Sequence, residues 1–378
     1  MSTLKPLLLS VLLLFTLTRG TQAASKVPVF VVNSTLDKPD AKLADGMCET
    51  AVGNGECTLR AAIMEANNTT GATILVPAGI YTLTLPPVYP WYIPSWFGHL
   101  EIVRPMTIAG VGPDKTIIDG NRDVIGEAVM VVSGISNTVV ISGVTIQNGV
   151  GGIINGGKLD IEHVVIQNHA YSHMAATPDN VYACGGICNT GVLTVSNSVV
   201  RHNEITVADN PDPHYIGAGG YGTGGGISSS GPYLAINNSV ISNNTVSASV
   251  AYGGGVYSSG LYPSLYLAID NSVISNNTVS ASVTYGGGIY SQGSVSIHNS
   301  TISSNTVTGS GGGLYSEVTL GYQPLSITLA HISGSTFFDN SARGPNSSGG
   351  GLYIMVDHPF CGRICLGVAP PRRPCGPF

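Results

Sequence analysis

The chain has 378 residues, of which 43% are hydrophobic and only 10% charged, with 50 glycines, 22 prolines and 7 cysteines. An average soluble domain is about a quarter charged and about 7% glycine, so helical bundles, coiled coils and charged disordered tails are excluded. A net charge of −6 with only 15 Lys plus Arg supplies no electrostatic footprint for nucleic acid, whose binding depends on neutralising phosphates.

Residues Met1 to Ala24 read as a secretory leader: Lys5 is its charged start, Leu7 to Leu17 its apolar run and Thr21-Gln22-Ala23 a small-residue cleavage site. That run is shorter than the roughly 20 residues that span a bilayer, and no later stretch could cross as a helix, so no transmembrane helix is expected in the mature chain. Export implies an oxidising compartment. Cys48 and Cys57, separated by a loop containing Gly and Asn, are the best candidate disulfide. Residues 25–70 form an N-terminal cap, in which Thr58 to Asn67, TLRAAIMEAN, is the one good helix. Thr58 is its N-cap, and Leu59, Ala62, Ile63 and Ala66 lie on one face. The segment ATILVPAGIYTLTL then opens the strands with a Pro-Ala-Gly turn.

From residue 71 to 357 the chain repeats itself. LAINNSVISNNTVSASVAYGGGVYSSG, starting at Leu234, returns almost unchanged as LAIDNSVISNNTVSASVTYGGGIYSQG at Leu267. One apolar position recurs at Ile141, Ile161, Val195, Ile236, Ile269, Ile297 and Ile332; a second, five residues on, recurs from Ile146 and Ile166 to Phe337. The shortest step between copies is 20 residues, too few for a propeller blade of four antiparallel strands in about 40 residues. Short alternating runs such as Leu-Ala-Ile and Ser-Val-Ile are strands rather than helical turns. Such a unit cannot bury its apolar face alone, whereas copies stacked at about 4.8 Å share one column of Ile, Val and Leu. The expected fold is all-β, a parallel β-helix.

The corners fit. Asn203, Asn244, Asn277, Asn305 and Asn340 each lie three residues past the second apolar ladder and can bond to the Asn above and below. Asn243 begins an Asn-x-Thr sequon, but the corner ladder is the preferred reading of this region. Glycine runs ending at Ile187, Ile227, Val256, Ile289 and Leu314 mark another corner, where glycine supplies positive φ. They open strands, so they are not phosphate loops.

Function in a solenoid is expected on insertions from one face. Two follow one another, His169 to Ala183 and Glu204 to Gly222, leaving the coil at the same corner on neighbouring rungs. They offer Tyr171, His173, Asp179, Asp209, Asp212, His214 and Tyr215 as ligand-binding candidates, with His169, Tyr182 and His202 close by. A carboxylate pair could hydrolyse a glycoside, and Asp clusters could hold the Ca²⁺ that a lyase would require. The same residues are also ordinary turn chemistry. No Lys follows Lys158, only Arg201 lies near the insertions, and no paired-Asp motif is visible; no catalytic residue, cofactor or metal site is assigned. His169 and His173 lack a third ligand of defined spacing. Tyr257, Tyr290, Tyr315 and Tyr353 each follow the apolar residue after a glycine run and are expected to point outward on consecutive rungs. They could stack on sugar rings or on one another.

Cys184 and Cys188 flank Gly-Gly-Ile. As the ends of a strand they would lie about 13 Å apart, beyond the roughly 7 Å Cα limit of a bridge, so they are not expected to pair. The tail, residues 358–378, contains Cys361, Cys365 and Cys375 and is expected to be irregular; the odd cysteine total leaves at least one thiol free or intermolecular.

The run DGMCETAVGNGECTLRAAIMEAN, Asp45 to Asn67, resembles the CSLREA domain, an N-terminal module of bacterial exported proteins of the pectate-lyase-like right-handed β-helix superfamily. The GGGIY and NSVISNNT units resemble repeats of polymorphic outer membrane proteins, so that the likeness covers roughly residues 29 to 355. Thr58 and Ala61 stand where the family has Ser and Glu. The resemblance implies a right-handed parallel β-helix, exported, at the cell surface or associated with the outer membrane. The expected function is non-catalytic glycan binding or adhesion, toward a polysaccharide or cell-surface glycan; the alternative is a polysaccharide lyase or glycoside hydrolase. There is no C-terminal run of alternating strands for a barrel of the chain's own.

Overall fold

The computed structural model describes residues 27–87, 98–134, 138–174, 185–208, 220–259, 266–319, 330–345, 347–358 and 362–368. Residues 1–26, which include the expected leader, lie outside them. Three long sheets run the length of the molecule. The first takes one strand per rung from Val29–Val31 and Ala72–Val76 through Tyr233–Asn237 and Tyr266–Asp270 to Ala330–Ser333. The second runs from Gly79–Thr82 to Thr336–Phe338, and the third from Leu100–Ile102 to Leu352–His358. Pairing is parallel throughout these stacks, and the chain is a parallel β-helix.

The two ladders seen in the repeat are in register. Ile141, Ile161, Val195, Ile236, Ile269 and Ile297 pair rung to rung and are at most 1% exposed. Ile146, Ile166, Val200, Ile241, Ile274 and Ile302 do the same in the second sheet. Each fully buried aliphatic side chain contributes about 1.5–3 kcal/mol, and stacking keeps that column continuous.

Polar ladders hold the corners between the sheets. Asn203, Asn244, Asn277, Asn305 and Asn340 form one, each carboxamide donating to the next at 2.9–3.0 Å. Asn243 and Asn276 turn the chain just before it in the left-handed conformation, which Asn tolerates best among side-chain-bearing residues. A serine ladder was not anticipated. The backbone N–H groups of Ser198, Ser239, Ser272 and Ser300 each donate to the hydroxyl one rung on. At the glycine corner Gly253 and Gly286 take positive φ. The next residue, Gly254, has no room for a side chain, because a Cβ there would meet the Gly287 carbonyl oxygen at 2.4 Å.

The helix Leu59–Ala66 closes the N-terminal end, with the Thr58 hydroxyl accepting from the Ala61 N–H at 3.1 Å. Burial extends beyond the expected face to the whole helix, Arg60 and Glu65 included. Arg60 forms a buried ion pair with Asp37 at 2.6 Å and donates to the Gly98 and His99 carbonyls. Glu65 accepts from the N–H groups of Ala44 and Gly46. Cys48 and Cys57 are bridged beside this helix, with Cα atoms 5.0 Å apart.

One expectation needs correction. The tail is not irregular from His358 on, since Gly362–Val368 pairs antiparallel with Leu352–His358. Cys188 is disulfide-bonded, and Cys184, with which it is not expected to pair, lies outside the described residues.

Candidate functional site

The first residues of both insertions are strands. Ala170–Met174 pairs in parallel with Glu204–Ala208, which places the insertions on neighbouring rungs, and four further strands extend this lateral sheet to Ser341–Ala342. A three-stranded sheet, Tyr221–Thr223, Val250–Tyr252 and Val283–Tyr285, packs beside it. Between them Ile205, Val207, Val246, Ala251, Val279 and Val307 form a second apolar core. The start of the second insertion therefore buries apolar surface, because alternation in Glu204–Ala208 turns Ile205 and Val207 inward.

Tyr171 is half-buried against this second core, and burial raises its phenol pKa. His173 lies on the strand opposite Val207. Asp179, Tyr182, Asp209, Asp212, His214 and Tyr215 lie outside the described residues. His202 is an exposed corner residue with φ of 54°. His169 is fully buried and heads the asparagine ladder, its N–H donating to Asn203 Oδ1. Its Nδ1 accepts from the Gly149 N–H at 3.0 Å while Nε2 faces the Ile146 carbonyl at 3.2 Å, an arrangement that needs the neutral ring protonated on Nε2. Burial pushes its pKa down to about 4. His169 is thus an interior strut, not a loop ligand.

In the tyrosine stripe the rings stack on one another, one of the two arrangements its spacing leaves open. Tyr257, Tyr290, Tyr315 and Tyr353 do stand on the outer side of the third sheet, stacked at centroid distances of 5.1–5.6 Å. A second row, Tyr252 and Tyr285, folds over them from the three-stranded sheet and meets Tyr290 at 5.0 Å and Tyr315 at 4.6 Å. Tyr290 and Tyr315 are consequently only 6% and 4% exposed, and burial raises the Tyr290 pKa above the ordinary phenol value. The middle of the seam is packing, and its half-buried margins are Tyr252, Tyr257, Tyr285 and Tyr353.

An exposed aromatic pair outside the glycine-corner repeat lies on the first sheet. Tyr233 and Tyr266 occupy the same register on neighbouring rungs, stack at 6.0 Å with planes 14° apart, and are 38% and 41% exposed. Four residues along the same outward face come Asn237 and Asp270, and His298 pairs with Asp270 at 3.2 Å on the next rung. Aromatic faces, a carboxamide, a carboxylate and an imidazole thus share one flat solvent face about 13 Å long. Among the described residues no three His, Cys, Asp or Glu side chains gather as a metal site.

No protein-family model and no curated protein sequence matches the chain. Among solved structures it is similar to pectate lyase Pel9A, at 16% identity over 85% of this chain and 78% of that one, with a TM-score of 0.47. It is also similar to the A-module of mannuronan C-5 epimerase AlgE4 from Azotobacter vinelandii, at 14% identity over 77% and 94% of the two chains and a TM-score of 0.30. A third, Geobacillus virus E2 ORF18, shares 9% identity over 77% and 54%, with a TM-score of 0.27.

Proposed function

We propose that the chain is an exported β-helix, capped by a CSLREA-like module, that binds an extended polysaccharide on the outward face of its first sheet without cleaving it, acting at the cell surface as an adhesive or glycan-holding module. The observation that carries this is the exposed Tyr233–Tyr266 stack in line with Asn237, Asp270 and His298. An aromatic ring offers an apolar face with a polar rim, which suits the C–H surface of a pyranose. The carboxamide and carboxylate supply paired acceptors and donors for vicinal hydroxyls. A low density of charge and a net negative balance favour a neutral or cation-bridged glycan over a polyanion. Export is supported by the leader-like first 24 residues and by the Cys48–Cys57 bridge.

The test is a glycan array followed by calorimetry on the best ligand, with wild type compared to Tyr233→Ala/Tyr266→Ala. Affinity should fall at least tenfold while the unfolding midpoint stays within the range of surface changes. If the double variant binds unchanged and loss follows instead from replacing residues 209–215 by a short linker, the ligand face is on the insertions and this assignment is wrong.

A further inference from the structure

Inside the coil, one inward position of the third sheet changes character along the molecule. It is Asn155 and Asn189 on two successive rungs, then Ser229, Ser258, Ser291 and Ser316, all in one register and none more than 1% exposed. The asparagines satisfy themselves. Asn155 Nδ2 donates to Asn189 Oδ1 at 2.7 Å, and Asn189 Nδ2 donates to the Ser229 hydroxyl at 2.9 Å and to the Gly191 carbonyl at 3.0 Å. Beyond Ser229 the hydroxyls of Ser258, Ser291 and Ser316 find no hydrogen-bond partner among the described residues.

Geometry explains why they cannot bond to one another. Rungs are about 4.8 Å apart, whereas a hydroxyl pair bonds at about 2.7–2.8 Å. An asparagine spans the gap because its carboxamide extends beyond the Cβ; a serine does not reach. A molecule placed between two such hydroxyls, about 2.8 Å from each, would subtend an angle near tetrahedral, which is the bonding geometry of water. Exchanging a carboxamide for a hydroxyl at the same register also frees space on the order of the ~30 Å³ that a water occupies. The corner carbonyl that each carboxamide reaches upstream, Gly157 for Asn155 and Gly191 for Asn189, supplies the model for a third partner. Buried hydroxyls without partners carry their full desolvation penalty, and native proteins resolve this with ordered water.

We propose that a file of ordered water molecules runs inside the coil beside Ser258, Ser291 and Ser316, one in each gap between rungs, in the place that the carboxamides of Asn155 and Asn189 fill upstream. The polar column is bounded by apolar residues of the same register, Val132 before Asn155 and Ile354 after Ser316, and the file itself ends at Ser229 on one side and Ile354 on the other. It is a solvent-binding site built into the core, independent of the glycan face on the first sheet.

The experiment is a crystal structure of the wild-type chain at a resolution that shows ordered solvent, paired with water-oxygen magnetic relaxation dispersion, which counts long-lived internal waters. Density should appear within about 2.7–3.2 Å of the three hydroxyls, and the relaxation amplitude should drop in Ser258→Val/Ser291→Val/Ser316→Val. Should that triple variant not fold, Ser291→Asn gives the same information: its carboxamide should bond to a neighbouring hydroxyl, displace the adjacent water and raise the melting temperature. Well-ordered hydroxyls with no density beside them, or an amplitude unchanged in whichever variant folds, would overturn the proposal.

Discussion

Replacing Asn277 by Ala tests how much of the coil's stability rests on its polar corner. The Asn277 side chain makes four hydrogen bonds, all at 3.0 Å: Oδ1 accepts from the backbone N–H and from Nδ2 of Asn244, and Nδ2 donates to the Ile241 carbonyl and to Asn305 Oδ1. At about 0.5–1.5 kcal/mol net for each, and with the buried Asn244 N–H left unpaired, the expected loss is about 4 kcal/mol. The last rung supplies an internal reference. Asn340 makes three such bonds at a half-buried position, so Asn340→Ala should cost roughly half as much. Urea unfolding followed by circular dichroism reads both differences from the shift in midpoint at constant slope. A loss for Asn277→Ala below about 1 kcal/mol, or equal losses at the two positions, would refute the view that the ladder is a cooperative stack of satisfied buried amides.

The buried ring of His169 should make stability fall in mild acid. Its pKa drops from 6.5 to about 4 on folding, so the unfolded chain binds the proton first, and the contribution is whole above pH 6.5, declines from there to pH 4 and is spent below it. The full effect is about 3 kcal/mol; denaturant titrations across that window on wild type and His169→Asn should show the slope only in the former. Removing the Cys48–Cys57 bridge by double Ser substitution should cost about 2–3 kcal/mol, with hydrogen exchange rising first in the cap helix, and neither thiol of the wild type should alkylate without reduction. Asp37→Asn should cost about 3–5 kcal/mol by removing the buried carboxylate that balances the Arg60 charge, whereas replacing both partners by apolar residues should cost less; a double-mutant cycle in urea separates the two.

The solenoid was legible because its signal is periodic. Ile236 and Ile269 recur with their neighbours, and only stacked short strands turn that recurrence into one column. The asparagine ladder was legible for the same reason. The buried helix flank was not, because the partners that allow Arg60 and Glu65 inside come from Asp37 and the backbone of residues 44 and 46, contacts with no local pattern. Both lateral strands were hidden by the polar residues around them, although Glu-Ile-Thr-Val-Ala at residue 204 alternates as a strand does and stands where Thr-Val-Ser stands one rung later. The tyrosine seam carried a readable sign that was missed. In AYGGGVY and TYGGGIY a tyrosine flanks the glycine corner on both sides, and a sharp corner folds the first onto the second row. The second tyrosine alone gives the self-stacked row but not the row that covers it.

Whether the coil holds a polysaccharide without cutting it is read by incubating the wild-type protein with the glycans it retains on an array and following binding, reducing ends and unsaturated products in the same samples. Saturable binding is expected, with reducing ends and unsaturated products both at the level of a protein-free control. Product that accumulates in proportion to protein and time would contradict it and make the chain an enzyme.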